Sequence, residues 1–89
     1  MNKEDFIKAT KNNDFIIYTD NAVGKGINGV SYTKYYHNAN YTDLKQTTKV
    51  VKVSEDSVLL KVNNIKQMYP LGEWNVLIPL KNVVAVYYK

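Results

Sequence analysis

The sequence predicts a mainly β (α+β) domain: a short N-terminal helix followed by a small five- to six-stranded antiparallel barrel or strongly bent sheet. Three observations carry this expectation. Runs rich in Val, Ile, Tyr and Thr recur along the chain at a spacing of about 8–12 residues, the rhythm of sandwiches and barrels. Clusters of Asn, Asp, Gly and Pro separate these runs. Helical spacing of apolar residues occurs only before Asp14. With 89 residues, the chain 1–89 is read as a single domain.

The helix is expected to start at Asn2, whose side chain can cap it, with Glu4 and Asp5 in the first turn where the helix dipole favours acids. Phe6, Ile7 and Thr10 fall on one side, and so short a helix needs Phe6 and Ile7 to lean on a sheet. Asn12-Asn13 closes it. The first strand covers residues 14–19. Its unbroken run Phe15-Ile16-Ile17-Tyr18 predicts burial on both faces, with sheet below and helix above. Asp20-Asn21 ends it, and a loop follows through Gly24, Gly26 and Gly29. The second strand begins at residue 27 or 30 and runs to 36. Residues 37–40 read as a turn, and residues 41–45 carry no clear pattern.

Strands over residues 48–53 and 57–62 are joined by Ser54-Glu55-Asp56, a polar hairpin turn. Val58, Leu60 and Val62 share one face of the second of these, and Leu59 and Lys61 the other. Asn63-Asn64 reads as a further turn leading to residues 65–69, and Pro70-Leu71-Gly72 breaks the chain again. Residues 74–78 form the next strand, with Pro79 at its end because Pro has no N–H for a ladder. Lys81-Asn82 makes a bend, and residues 83–88 are the last strand. The run Ile78-Pro79-Leu80-Lys81-Asn82-Val83-Val84-Ala85-Val86 is similar in outline to the end of SH3-like and Sm-like barrels. There a strand, one tight turn and a final strand close the barrel. The resemblance covers the last third of the chain. It implies an SH3/Sm-like outline and assigns no functional position.

Composition excludes several function classes. Hydrophobic residues are 45% and charged residues 22%, an ordinary globular balance. There is no cysteine, so no disulfide framework, thiolate zinc site or cysteine nucleophile is available. The single histidine, His37, rules out a two-histidine zinc motif. The start of the chain, with Lys3, Glu4, Asp5 and Lys8, lacks a signal-peptide apolar region, and no stretch is long enough for a membrane span. A cytoplasmic location is therefore expected. Net charge is +4, from twelve Lys and no Arg against eight acids. This permits an anionic partner, although scattered Lys also describes an ordinary solvated surface. Bidentate phosphate or guanine recognition by Arg is not available.

Catalytic constellations are missing. As a general base His37 would need a nucleophile and an orienting carboxylate, and a surface-loop histidine is the simpler reading. Glu4-Asp5 and Glu55-Asp56 have structural roles at a helix start and a turn. No cofactor is implied, and an enzyme is not expected.

Two segments point to binding. Gly24-Lys25-Gly26-Ile27-Asn28-Gly29 can bring backbone N–H groups and the Lys25 charge to an anion. It lacks the endings of known phosphate loops, and a flexible loop is the competing reading. Tyr32, Tyr35, Tyr36 and His37, with Lys34 among them, can stack on bases. In a strand Tyr32 and Tyr36 share one face and Tyr35 the other; core packing is again the alternative. In a third group, Tyr69, Trp74, Tyr87 and Tyr88, Trp74 is expected to cover the core.

The candidate site is therefore Lys25, Asn28, Tyr32, Tyr35, Tyr36 and His37. The expected function is non-enzymatic binding or sequestration of a nucleotide-type ligand or single-stranded nucleic acid through a Tyr/Lys/Asn-rich surface. The alternative is a protein-binding inhibitor module, of the kind encoded by phages and mobile elements, that occludes a larger host protein. No membrane partner is expected. A thin core with surplus aromatics and an apolar final strand favour a homodimer or higher oligomer.

Overall fold

Asn2 caps the helix in the way its position predicts: its Oδ1 accepts a hydrogen bond from the Asp5 N–H at 2.8 Å. The computed structural model describes residues 1–12, 14–20, 32–38, 45–66 and 70–89. Helix α1 (Lys3–Thr10) is followed by β1 (Phe15–Asp20), β2 (Tyr32–Tyr36), β3 (Lys45–Val53), β4 (Ser57–Lys66), β5 (Gly72–Pro79), a 3-10 turn (Leu80–Asn82) and β6 (Val83–Tyr88). The buried residues of α1 are Phe6 and Ala9. The expected leaning pair Phe6 and Ile7 is thus corrected: Ile7 is only half-buried, because Ala9, three positions after Phe6, completes the inward stripe. At the far end the Asn12 side chain donates to the carbonyl of Ala9 at 2.8 Å.

The strands pair as two three-stranded antiparallel sheets, in the orders β2-β1-β6 and β3-β4-β5. The mainly β expectation with one N-terminal helix holds, but among the described residues the ladders do not close into a barrel. At the crossing from β2 to β3 the two sheets are tied by an isolated bridge between Asn38 and Thr47 and by the Thr48 N–H donating to the His37 carbonyl at 3.3 Å. At the other crossing Pro79 ends β5, and the 3-10 turn carries the chain to β6, with the Leu80 N–H donating to the Asp56 carbonyl at 2.9 Å.

Both sheets and the helix share one core. It contains Phe6 from α1, Phe15 and Ile17 from β1, Val58, Leu60 and Val62 from β4, and Ile78, Leu80 and Val83 from the C-terminal segment. The expected common face of Val58, Leu60 and Val62 is the inner face of β4. Its alternation continues to Asn64, which is buried in the strand. The expected turn at Asn63-Asn64 is therefore a strand, and the two residues pair with Glu73 and Gly72 of β5.

The expectation for the first strand also changes. Along β1 only Phe15, Ile17 and Thr19 are buried, while Ile16 and Tyr18 are half-exposed. Helix α1 packs on β6 and β3 and does not cover the second face of β1. Among the described residues no element packs over that face, and its properties define the candidate site.

Candidate functional site: an aromatic sheet face

Antiparallel pairing carries the alternation of β1 across the whole first sheet. Ile16 lies opposite Tyr36 on one side and Tyr87 on the other; Tyr18 lies opposite Lys34 and Ala85; Asp20 lies opposite Tyr32. Directly paired residues point to the same side of a sheet. The outer face therefore gathers Tyr18, Tyr32, Tyr36 and Tyr87 around Ile16 and Lys34. The rings of Tyr18 and Tyr87 stack with centroids 4.9 Å apart and planes inclined by 23°. Lys34 Nζ lies 5.3 Å from the centroid of the Tyr18 ring, within cation–π range. Tyr87 is 60% exposed and Tyr32 50%. Among the described residues the result is a platform of partly exposed rings with the Lys34 ammonium beside it.

The sequence-predicted residues distribute unevenly over this geometry. Lys25 and Asn28 lie outside the described residues, as does the glycine loop that contains them. Tyr32 and Tyr36 share the outer face, as strand periodicity requires. Tyr35 points the other way, opposite Ile17, and packs against the core. Burial raises its hydroxyl above the ordinary tyrosine pKa of 10.0, because desolvation penalises the phenolate.

His37 is half-buried, not the solvated loop residue expected. Its N–H donates to the Phe15 carbonyl at 3.0 Å while its own carbonyl accepts from Thr48. Its ring stacks on Phe15 at 4.7 Å. His37 thus rivets the two sheets together, and its buried Nδ1 has no hydrogen-bond partner among the described residues.

Three features escaped the reading of the sequence. The first is the partnership of Tyr18 and Tyr87, which sit far apart in the chain and meet only through the β1–β6 ladder. The second is a buried polar chain. Gln46 Oε1 accepts from the Tyr36 N–H at 2.7 Å, Gln46 Nε2 donates to Asn64 Oδ1 at 2.7 Å, and Asn64 Nδ2 donates to the Pro70 carbonyl at 2.8 Å. Gln46 is 4% exposed and Asn64 7%. A signal for both existed in the sequence: Gln46 and Thr48 alternate with Lys45, Thr47 and Lys49, and Asn64 extends the Val58-Leu60-Val62 face.

The third feature is Trp74. Expected over the core, it is 48% exposed, and its Nε1 donates to the Leu71 carbonyl at 2.9 Å. Gly72, at φ 101°, gives the intervening backbone a conformation that side-chain-bearing residues rarely adopt. Trp74, Lys34, Tyr35, Gln46 and Asn64 help to line a cavity of about 150 Å³ between β2 and the second sheet.

Among the described residues no cluster of three or more His, Asp or Glu side chains is arranged to hold a metal ion, and no helix is long and apolar enough to cross a membrane. In comparisons with known proteins, no family model, no curated protein and no solved structure matches this chain.

Proposed function

We propose that this protein is a non-enzymatic binding module that takes a nucleotide-type ligand or single-stranded nucleic acid on the outer face of the β2-β1-β6 sheet. The observation that carries this reading is the stack of Tyr18 on Tyr87 with Lys34 over the Tyr18 ring. Bases of any sequence stack on such rings, each contributing about 1–3 kcal/mol, and a lysine ammonium pairs with the phosphate that joins them. Tyr32 and Tyr36 extend the platform, and the net charge of +4 favours a polyanion. In the same proposal Lys25 and Asn28 add a charge and a polar group from the glycine loop, while Tyr35 and His37 support the strand from behind. The connectivity, with its 3-10 turn between β5 and β6, supports an SH3/Sm-like outline for the scaffold. We place the protein in the cytoplasm, without a cofactor and as a homodimer or higher oligomer.

The test is fluorescence anisotropy of labelled oligothymidylate at rising salt. Binding is expected to weaken with salt and to fall on Tyr87→Ala, Tyr36→Ala, Lys34→Ala and Lys25→Ala. Native mass spectrometry of the purified protein gives oligomeric state and any retained nucleotide together. Unchanged binding by the Tyr87 and Lys34 variants would move the site elsewhere.

One feature supports the second reading, a module that occludes a larger protein. Leu77 on the outer face of the second sheet is 69% exposed and lies opposite Leu59, and apolar surface of this kind marks protein contacts when it is contiguous. Under that reading Leu77→Lys abolishes partner capture while Tyr87→Ala leaves it intact.

A further inference from the structure

We propose that the cavity between β2 and the second sheet receives one base of a single-stranded nucleic acid whose neighbouring base stacks on the Tyr18–Tyr87 platform. This rests on the reading of the outer face as the binding surface, and it narrows the ligand to an oligonucleotide of two or more residues.

Size is the first argument. Pockets for drug-sized ligands measure about 300–1,000 Å³, whereas this one holds about 150 Å³. It suits a single flat ring system and is too small for a whole nucleotide. Chemistry is the second. Two amides border the cavity, Gln46 and Asn64, both almost fully buried. They are held in one orientation by the Tyr36 N–H, by each other and by the Pro70 carbonyl. An amide nitrogen carries two donors and an amide oxygen two acceptor sites. Among the described residues each of these four atoms uses one in the chain just described, which leaves donors and acceptors for the edge of a base. Fixed Asn and Gln amides are groups that read base edges.

The third argument is Trp74. Its ring stands half-exposed at the cavity, and the bond from Nε1 to the Leu71 carbonyl holds it in place, so little side-chain freedom is lost when a base stacks on it. The fourth is Lys34. This residue of the edge strand β2 borders the cavity, yet its Nζ lies over Tyr18 on the outer face. One ammonium therefore serves the phosphate that passes over the edge between the two base positions.

Trp74 is the only tryptophan in the chain, so tryptophan emission comes from this one cavity-lining ring. Thymidine monophosphate and fluorescein-labelled oligothymidylates of increasing length are titrated at low salt, with anisotropy and Trp74 emission followed together. The expected result is quenching of Trp74 with the same midpoint as the anisotropy rise for every oligomer. Binding of the mononucleotide is expected to be about tenfold weaker, since one stacked base is lost. Val76→Phe, which fills the cavity from one wall, is expected to suppress the quenching and to weaken oligomer binding to the mononucleotide level. Anisotropy that rises while Trp74 emission stays constant would overturn the cavity assignment and leave the outer face standing. Failure of every oligomer to raise the anisotropy overturns the cavity assignment together with the nucleic-acid reading of the outer face. If Val76→Phe does not fold, the wild-type emission decides the matter.

Discussion

Replacing Gln46 by Leu tests whether the buried amide chain holds the two sheets together. The substitution keeps the approximate volume and removes two hydrogen bonds, one from the Tyr36 N–H and one to Asn64 Oδ1. Losing the first costs about 1 kcal/mol net, and leaving the buried Asn64 oxygen without its donor costs about 1–3 kcal/mol more. The apolar surface that Leu buries in place of an amide offsets on the order of 1 kcal/mol. The net expectation is a loss of about 1–3 kcal/mol. For a domain of this size each kcal/mol lowers the melting temperature by about 4–8 °C. Asn64→Leu strands the Gln46 nitrogen in the same way and is expected to lose a similar amount. The double variant Gln46→Leu/Asn64→Leu removes both partners at once and is expected to lose less than the sum of the singles, with a coupling of about 1–2 kcal/mol. The assay is urea denaturation of the four proteins followed by circular dichroism. Additivity within about 0.5 kcal/mol, the scatter of independent sites, would refute the amide chain as a structural unit.

The remaining predictions concern single side chains. Tyr87→Ala removes a largely exposed ring stacked on Tyr18; thermal unfolding is expected to show a loss of only about 0.5–1.5 kcal/mol, while oligothymidylate affinity falls about tenfold or more in the anisotropy assay. Tyr35 stays neutral in the fold to a higher pH than it does in the unfolded chain. Its contribution is complete below the ordinary value of 10.0 and is lost as pH rises beyond it. Melting curves of Tyr35→Phe are therefore expected to fall less steeply with alkaline pH than those of the wild type, with no difference in slope near neutrality. Gly72→Ala places a side chain at φ 101°, where space is available but the backbone is strained; denaturant titration is expected to show a loss of about 1–2 kcal/mol. Sedimentation at high protein concentration is expected to show a dimer or larger species, and a clean monomer would refute that expectation.

Local signals in the sequence determined much of the scaffold. Asn2 with Glu4 and Asp5 marks a helix start that depends only on neighbouring backbone groups. The Val58-Leu60-Val62 alternation marks an inner face because side chains in a strand point to opposite sides in turn. Ser54-Glu55-Asp56 and Pro79 mark chain reversals by their own backbone preferences. The opposition of Tyr35 to Tyr32 and Tyr36 follows from the same alternation. What tertiary structure decided is which face is covered and what meets across it. The run Phe15-Ile16-Ile17-Tyr18 looks buried on both sides, but α1 settles on β6 and β3, so Ile16 and Tyr18 stay at the surface. Asn63-Asn64 has the composition of a turn, yet Gln46 and the Pro70 carbonyl satisfy the Asn64 amide inside the protein, which lets a polar residue end a buried strand face. Tyr18 and Tyr87 become one platform only because β6 returns to pair with β1. Burial and long-range pairing depend on partners distant in the chain, and no local propensity encodes where those partners will stand.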